Sequence, residues 1–216
     1  YNGTTTISAG TLQISGAGLL GGGSYSSNIA INGVTTALLY NGTANQTLSG
    51  VISGNGVLTK NGSGTLTLTA ANTYTGDTTI NSGSLAIGAS NVIGGNITIN
   101  SGATLHGGNN HGALQSSANL IINGGTFIGG YTQQVNSISI TDGTFRGHSS
   151  FDGAGNNMYF TGTFTGAGNN TVSAGFDIRT ATSGTFNITS GTTTISGTVS
   201  NYNAFIAGLT KNGSGT

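Results

Sequence analysis

Between residues 78 and 145 one short phrase occurs four times, and its spacing restricts the fold more than any other property of the chain. It reads Thr78-Thr79-Ile80-Asn81-Ser82-Gly83-Ser84-Leu85-Ala86-Ile87, then Ile97-Thr98-Ile99-Asn100-Ser101-Gly102-Ala103-Thr104-Leu105. It continues as Ile121-Ile122-Asn123-Gly124-Gly125-Thr126-Phe127 and Ser139-Ile140-Thr141-Asp142-Gly143-Thr144-Phe145. An earlier copy runs from Thr5 to Ile14 and a later one from Phe186 to Thr193. The shared unit is a short alternating strand, a polar-glycine corner and a second short strand. Ile80, Ile99, Ile122 and Ile140 are 19, 23 and 18 residues apart. Strands this short bury little as hairpins. Stacked as coils, each pairs with its equivalent one turn later, about 4.8 Å away. The chain is therefore expected to form an all-β, right-handed, single-stranded parallel β-helix of about ten coils of roughly 20 residues, a rod on the order of 50 Å long.

The corners have their own chemistry. Glycine enters positive φ without steric cost, and asparagine tolerates it better than most residues. Gly83, Gly102 and Gly125 are the expected corner glycines. Asn81, Asn100 and Asn123 are expected to stack, their amides hydrogen-bonding from coil to coil. Proline is absent, as expected where nearly every strand is internal and needs its amide hydrogen.

Composition narrows the function. Only 4% of the 216 residues are charged, against roughly 25% in an average globular protein. Four cations (Lys60, Arg146, Arg179, Lys211) balance four carboxylates (Asp77, Asp142, Asp152, Asp177). Four scattered cations cannot neutralise a run of phosphates, which argues against nucleic acid and anionic membrane as partners. The absence of cysteine excludes disulfides and thiolate metal sites within these residues. No apolar run is long enough for a membrane helix and no signal peptide is present, so the chain reads as an internal or mature segment. The 41 glycines would suggest disorder if they stood alone, but the recurring Thr, Ile and Val argue for ordered β-structure.

One stretch is more specific. Gly56-Val57-Leu58-Thr59-Lys60-Asn61-Gly62-Ser63-Gly64-Thr65-Leu66-Thr67-Leu68 continues through Asn72-Thr73-Tyr74-Thr75-Gly76-Asp77-Thr78-Thr79-Ile80 to Leu85. It resembles the passenger-associated repeat of bacterial autotransporters. The resemblance covers residues 56–88 and implies a right-handed β-helical passenger exported across the outer membrane and displayed or released outside the cell. Leu209 to Thr216 repeats Leu58 to Thr65 and reads as the start of a further copy, while Tyr1 to Ile7 mirrors Tyr74 to Ile80. The whole of 1–216 is thus expected to be a single segment of a longer repetitive protein. Its expected partner is itself, head to tail through open coil ends, or the continuation of the same chain.

Candidate chemistry is sparse. Some parallel β-helices act on polysaccharides, with grouped carboxylates as acid, base or calcium ligands. His148-Ser149-Ser150-Phe151-Asp152, near Arg146 and Asp142, holds such residue types at no recognisable spacing, and a solvated loop accounts for it. His106 and His111 flank Gly107-Gly108-Asn109-Asn110 without a third metal ligand nearby. Asp152-Gly153-Ala154-Gly155-Asn156-Asn157 lacks the carboxylate density calcium needs, and Gly21-Gly22-Gly23 has no helix after it to make a phosphate loop. Threonine runs such as Thr65-Leu66-Thr67-Leu68-Thr69 and Thr192-Thr193-Thr194 raise an ice-binding face, but Ile-Asn and Leu-Ala interrupt them and β-propensity explains them. No catalytic, cofactor or metal residue is assigned. The expected role is a neutral structural rod at the bacterial surface or outside the cell, for display, adhesion or filament building. The alternatives are a carbohydrate-active enzyme, or an adhesin that uses loops 106–117 and 146–157 on a surface glycan or other ligand.

Overall fold

The chain is described by a computed structural model, covering all residues except 89–92, 109–112, 130–132, 148–156, 161, 174, 179–183, 197–198 and 201–208. Period-two alternation decides which side of each strand faces inward. In Val57–Lys60, Thr65–Leu68 and Thr78–Ile80 every second residue is buried, and Leu58, Leu66, Leu68 and Ile80 are fully enclosed. Because both edges of such a strand must find partners, successive coils pair in parallel.

The long face stacks ten strands in chain order, from Thr11–Gly16 through Val57–Lys60, Thr78–Ile80, Ile97–Asn100, Asn119–Asn123 and Ser137–Thr141 to Leu209–Asn212. A second face stacks nine, from Ser24–Tyr25 through Thr65–Leu68, Gly83–Ile87 and Thr126–Gly129 to Thr193–Ile195. The third face is interrupted. Three strands (Thr5–Ile7, Ile29–Ile31, Ile52–Gly54) form a sheet at the start, and four (Gln133–Val135, Asn157–Phe160, Gly175–Ile178, Val199–Ser200) form one near the end. Between them a parallel bridge from Ile93 to Leu114 keeps the stacking. The molecule is an all-β parallel β-solenoid with almost no helix among the described residues. In the coil after Ile52–Gly54 the third side is crossed by residues 72–76, where Thr73 N and Thr75 N donate to Ile52 O and Gly54 O at 2.8 and 2.9 Å.

Register carries the core. Ile80, Ile99, Ile122 and Ile140 are direct partners across successive strands, so the expected spacing of 19, 23 and 18 residues becomes one apolar column. On the second face Leu66, Leu85, Leu105, Phe127, Phe145 and Val172 form another. The Phe127 and Phe145 rings stack with centroids 5.2 Å apart. Enclosing each of these side chains contributes about 1.5–3 kcal/mol. A short 3-10 turn, Gly21–Gly23, is held by Gln46, whose Oε1 accepts from Leu20 N at 2.8 Å.

Candidate functional site

Polar order concentrates at the two corners flanking the long face. At the first, Asn61, Asn81, Asn100 and Asn123 fall in one column, since each directly follows the last inward side chain of its strand. Asn81 Nδ2 donates to Asn61 Oδ1 at 2.8 Å, and Asn100 Nδ2 donates to Asn81 Oδ1 at 2.6 Å. Asn123 stands in register with Asn100. At the opposite corner a second ladder runs through Asn96, Asn119 and Asn136: Asn119 Nδ2 donates to Asn96 Oδ1 at 3.0 Å and Asn136 Nδ2 to Asn119 Oδ1 at 2.9 Å. Sequence reasoning named Asn81, Asn100 and Asn123 but missed Asn61 and the whole second ladder. The available signal was an asparagine directly before the first inward residue of a strand, as in Asn96-Ile97 and Asn119-Leu120.

The corner glycines divide by cause. Gly83 and Gly102 take φ of 66° and 77°, the left-handed region. At the third corner Gly124, not Gly125, turns the chain with φ 72°. Gly125 is required for space instead: a Cβ there would lie 2.6 Å from Ile99 Cγ2 and 2.7 Å from Asn100 O. The asparagines do not use left-handed backbone, which among the described non-glycine residues falls to Asp142 alone.

Lys60 is the least expected occupant of the interior. Period two from Leu58 places it inward, in register between Tyr40 and Ile80, and it is fully buried. No carboxylate among the described residues neutralises it. Its Nζ donates to the carbonyls of Asn61 (2.7 Å), Gly62 (2.7 Å) and Ser82 (3.1 Å), and lies 5.6 Å from the Tyr40 ring centroid. Carbonyl dipoles and the ring face stand in for a counter-ion. Burial lowers the ammonium to about 8 from 10.5. The Tyr40 hydroxyl, whose pKa burial raises instead, donates to Ala44 O.

The enzyme-like candidates are not assembled into a site among the described residues. Asp77 Oδ1 accepts from Asn96 N and Asp142 Oδ1 from Asn169 N, each at 2.8 Å, so both carboxylates tie backbone at corners. His106 is half-buried on the second face, in register with Ala86 and Ile128, and Arg146 is exposed beside Ile128. His111, His148 to Asp152 and the rest of residues 109–112 and 148–156, within loops 106–117 and 146–157, lie outside the described residues. No group of three His, Cys, Asp or Glu residues that could hold a metal occurs among those described.

The threonines are more regular than the sequence suggested. Thr65, Ser84, Thr104, Thr126, Thr144, Thr171 and Thr194 are direct register partners along the second face. Interruptions along the chain do not interrupt this column, because neighbours in space are one coil apart. The adjacent outward column, Thr67, Ala86, His106, Ile128 and Arg146, is mixed. The hydroxyls thus form a single file rather than a two-dimensional lattice.

These features define a structural β-solenoid whose polar order serves its own stacking. Within it, residues 1–14 and 58–87 match the family model described as passenger-associated-transport-repeat. Those segments carry the autotransporter passenger repeat, and together they span well under half the chain. No curated protein and no solved structure gives a significant match. No helix among the described residues is long and apolar enough to cross a membrane.

Proposed function

We propose that this chain is a non-catalytic structural segment of a bacterial surface or secreted protein of the autotransporter passenger kind. The observation that carries the reading is the coincidence of the matched repeat, 58–87, with the continuous parallel stack of the long and second faces. A solenoid of this type gains its stability from coil-to-coil contacts, so a stiff rod follows from the repeat itself. In this reading the coil is right-handed, as crossovers between parallel strands overwhelmingly are, and its ten long-face levels support a count near ten. Its partner is a further length of the same coil, stacked head to tail, and its place is outside the cell.

The described surface offers a hydrolase little, since Asp77 and Asp142 are both spent on backbone amides. The test is immunolabelling of intact source cells and culture supernatant with antibodies raised against the folded chain. Labelling of unpermeabilised cells or of the supernatant is expected. Signal that appears only after permeabilisation would overturn the placement, and polysaccharide cleavage by the purified chain would overturn the non-catalytic role.

A further inference from the structure

We propose that the Asn61–Gly62 step is a self-modifying site, at which the folded corner converts Asn61 into isoaspartate and aspartate with release of ammonia. Seven Asn–Gly steps occur in the chain, at Asn2, Asn32, Asn41, Asn55, Asn61, Asn123 and Asn212. Each could in principle react by attack of the glycine amide nitrogen on the asparagine side-chain carbon. The coil does not treat them alike.

Three of the glycine amides are occupied. Gly33 N donates to Asn55 Oδ1 at 2.6 Å, Gly56 N to Ile31 O at 2.9 Å and Gly124 N to Thr141 O at 2.7 Å. An amide held in this way keeps its proton, and its nitrogen is turned toward the acceptor. Gly62 N donates to no described residue. Its peptide partner, the carbonyl of Asn61, instead accepts from the Lys60 ammonium at 2.7 Å. Since Asn61 C=O and Gly62 N–H are one conjugated amide, a cation on the oxygen draws charge from the nitrogen and makes its proton more acidic. The electrophile is prepared too: Asn81 Nδ2 lies 2.8 Å from Asn61 Oδ1, the atom on which negative charge develops during attack.

The step balances with water alone. Hydroxide removes the Gly62 amide proton, and the nitrogen forms a bond to Asn61 Cγ. The resulting oxyanion collapses, the Cγ–Nδ2 bond breaks and ammonia leaves with a proton from water. A five-membered imide remains. Water then opens it at one of two carbonyls. The backbone carbonyl is the one that Lys60 polarises, so its C–N bond breaks in preference and the product is mainly isoaspartate. The freed α-carboxylate is then left beside Nζ, and the buried cation gains the anion it lacks.

The test follows deamidation of the full folded chain by peptide mass spectrometry, with fragmentation that separates aspartate from isoaspartate. Asn61 is expected to convert several-fold faster than Asn55 and Asn123, with isoaspartate in excess, and the advantage should vanish in concentrated urea. Above pH about 8, where Lys60 loses its proton, the rate at Asn61 should rise less steeply than base catalysis gives elsewhere. A folded Lys60→Met variant should lose the advantage. Equal rates at Asn61, Asn55 and Asn123 in the folded chain would overturn the proposal. So would an advantage that survives urea, one that survives K60M, or a pH slope at Asn61 that does not flatten. The pH profile decides the matter in the native chain if K60M does not fold.

Discussion

The passenger-type phrase is folded twice in this molecule, and the two copies occupy different faces. In the second copy Thr78–Ile80 joins the long face and Gly83–Ile87 the second. In the first copy the equivalent letters, Thr5–Ile7 and Thr11–Gly16, lie on the third and the long face, one side further back. The corners are nearly identical, with φ of 69° at Gly10 and 66° at Gly83. The phrase therefore encodes strand, corner and strand. It does not encode which side of the coil receives them. That choice belongs to the neighbours: Thr78–Ile80 is held between Val57–Lys60 and Ile97–Asn100, while Thr5–Ile7 pairs only with Ile29–Ile31.

Tyrosine shows the same dependence on context. Tyr74 is fully buried and its hydroxyl meets Thr78 Oγ1 at 2.7 Å. Its equivalent, Tyr1, is 73% exposed and donates to Thr4 O. The equivalent of Thr78 is Thr5, and its hydroxyl is met at 2.7 Å by Tyr25 from the following coil. The hydroxyl pair is kept although the tyrosine that supplies it changes.

The comparison can be broken most forcefully at the corners. Gly10→Ala should cost about 1–2 kcal/mol for left-handed backbone alone, since no described atom lies within 4 Å of a Cβ there. Gly83→Ala should cost that and roughly 1–3 kcal/mol more, because its Cβ would meet Gly62 O at 2.5 Å and Lys60 Nζ at 2.8 Å. Urea unfolding midpoints of the two variants measure the gap, and equal costs would show that the copies are packed alike. Next come the tyrosines. Tyr74→Phe leaves the Thr78 hydroxyl buried without its partner and should cost about 1–3 kcal/mol. Tyr1→Phe should stay within about 0.5 kcal/mol, and Tyr25→Phe should resemble Tyr74→Phe if the exchange of tyrosines is real. A separate effect is on pH. The folded Lys60 binds its proton less tightly than the unfolded chain does, so between pH about 8 and 10.5 unfolding takes up protons. Stability should rise with pH across that window, and Tyr74, pushed well up by burial, stays protonated through it. Thermal melting of the native chain against K60M checks this, since the variant should lose most of the rise.

What could be read from the sequence was whatever repeats at fixed register. The Ile80, Ile99, Ile122 and Ile140 column was legible because period two and a spacing near one coil agree. The left-handed corners at Gly83 and Gly102 were legible because little but glycine occupies that backbone. What escaped lay in relations between coils of unequal length. The single file from Thr65 to Thr194 is irregular along the chain and regular only in space. The interior position of Lys60 contradicts the rule that lysine faces water, although Leu58-Thr59-Lys60 alternates correctly. The face taken by residues 5–16 had no local signal at all.

The two asparagine ladders give the rod a direction. Along its length the backbone bonds point both ways: Thr78 N donates forward to Asn96 O, and Asn81 N donates back to Lys60 O. Their dipoles largely cancel. The side-chain amides do not, because Asn100 donates to Asn81 and Asn81 to Asn61, while Asn136 donates to Asn119 and Asn119 to Asn96. Every one of these N–H groups faces the start of the chain and every carbonyl faces its end. A molecule of zero formal charge is thereby electrically vectorial, like a bar with two distinguishable poles. The polarity belongs to the middle coils, since beyond Asn123 its column passes to Thr141 and then Ala167, which carry no amide to continue the file.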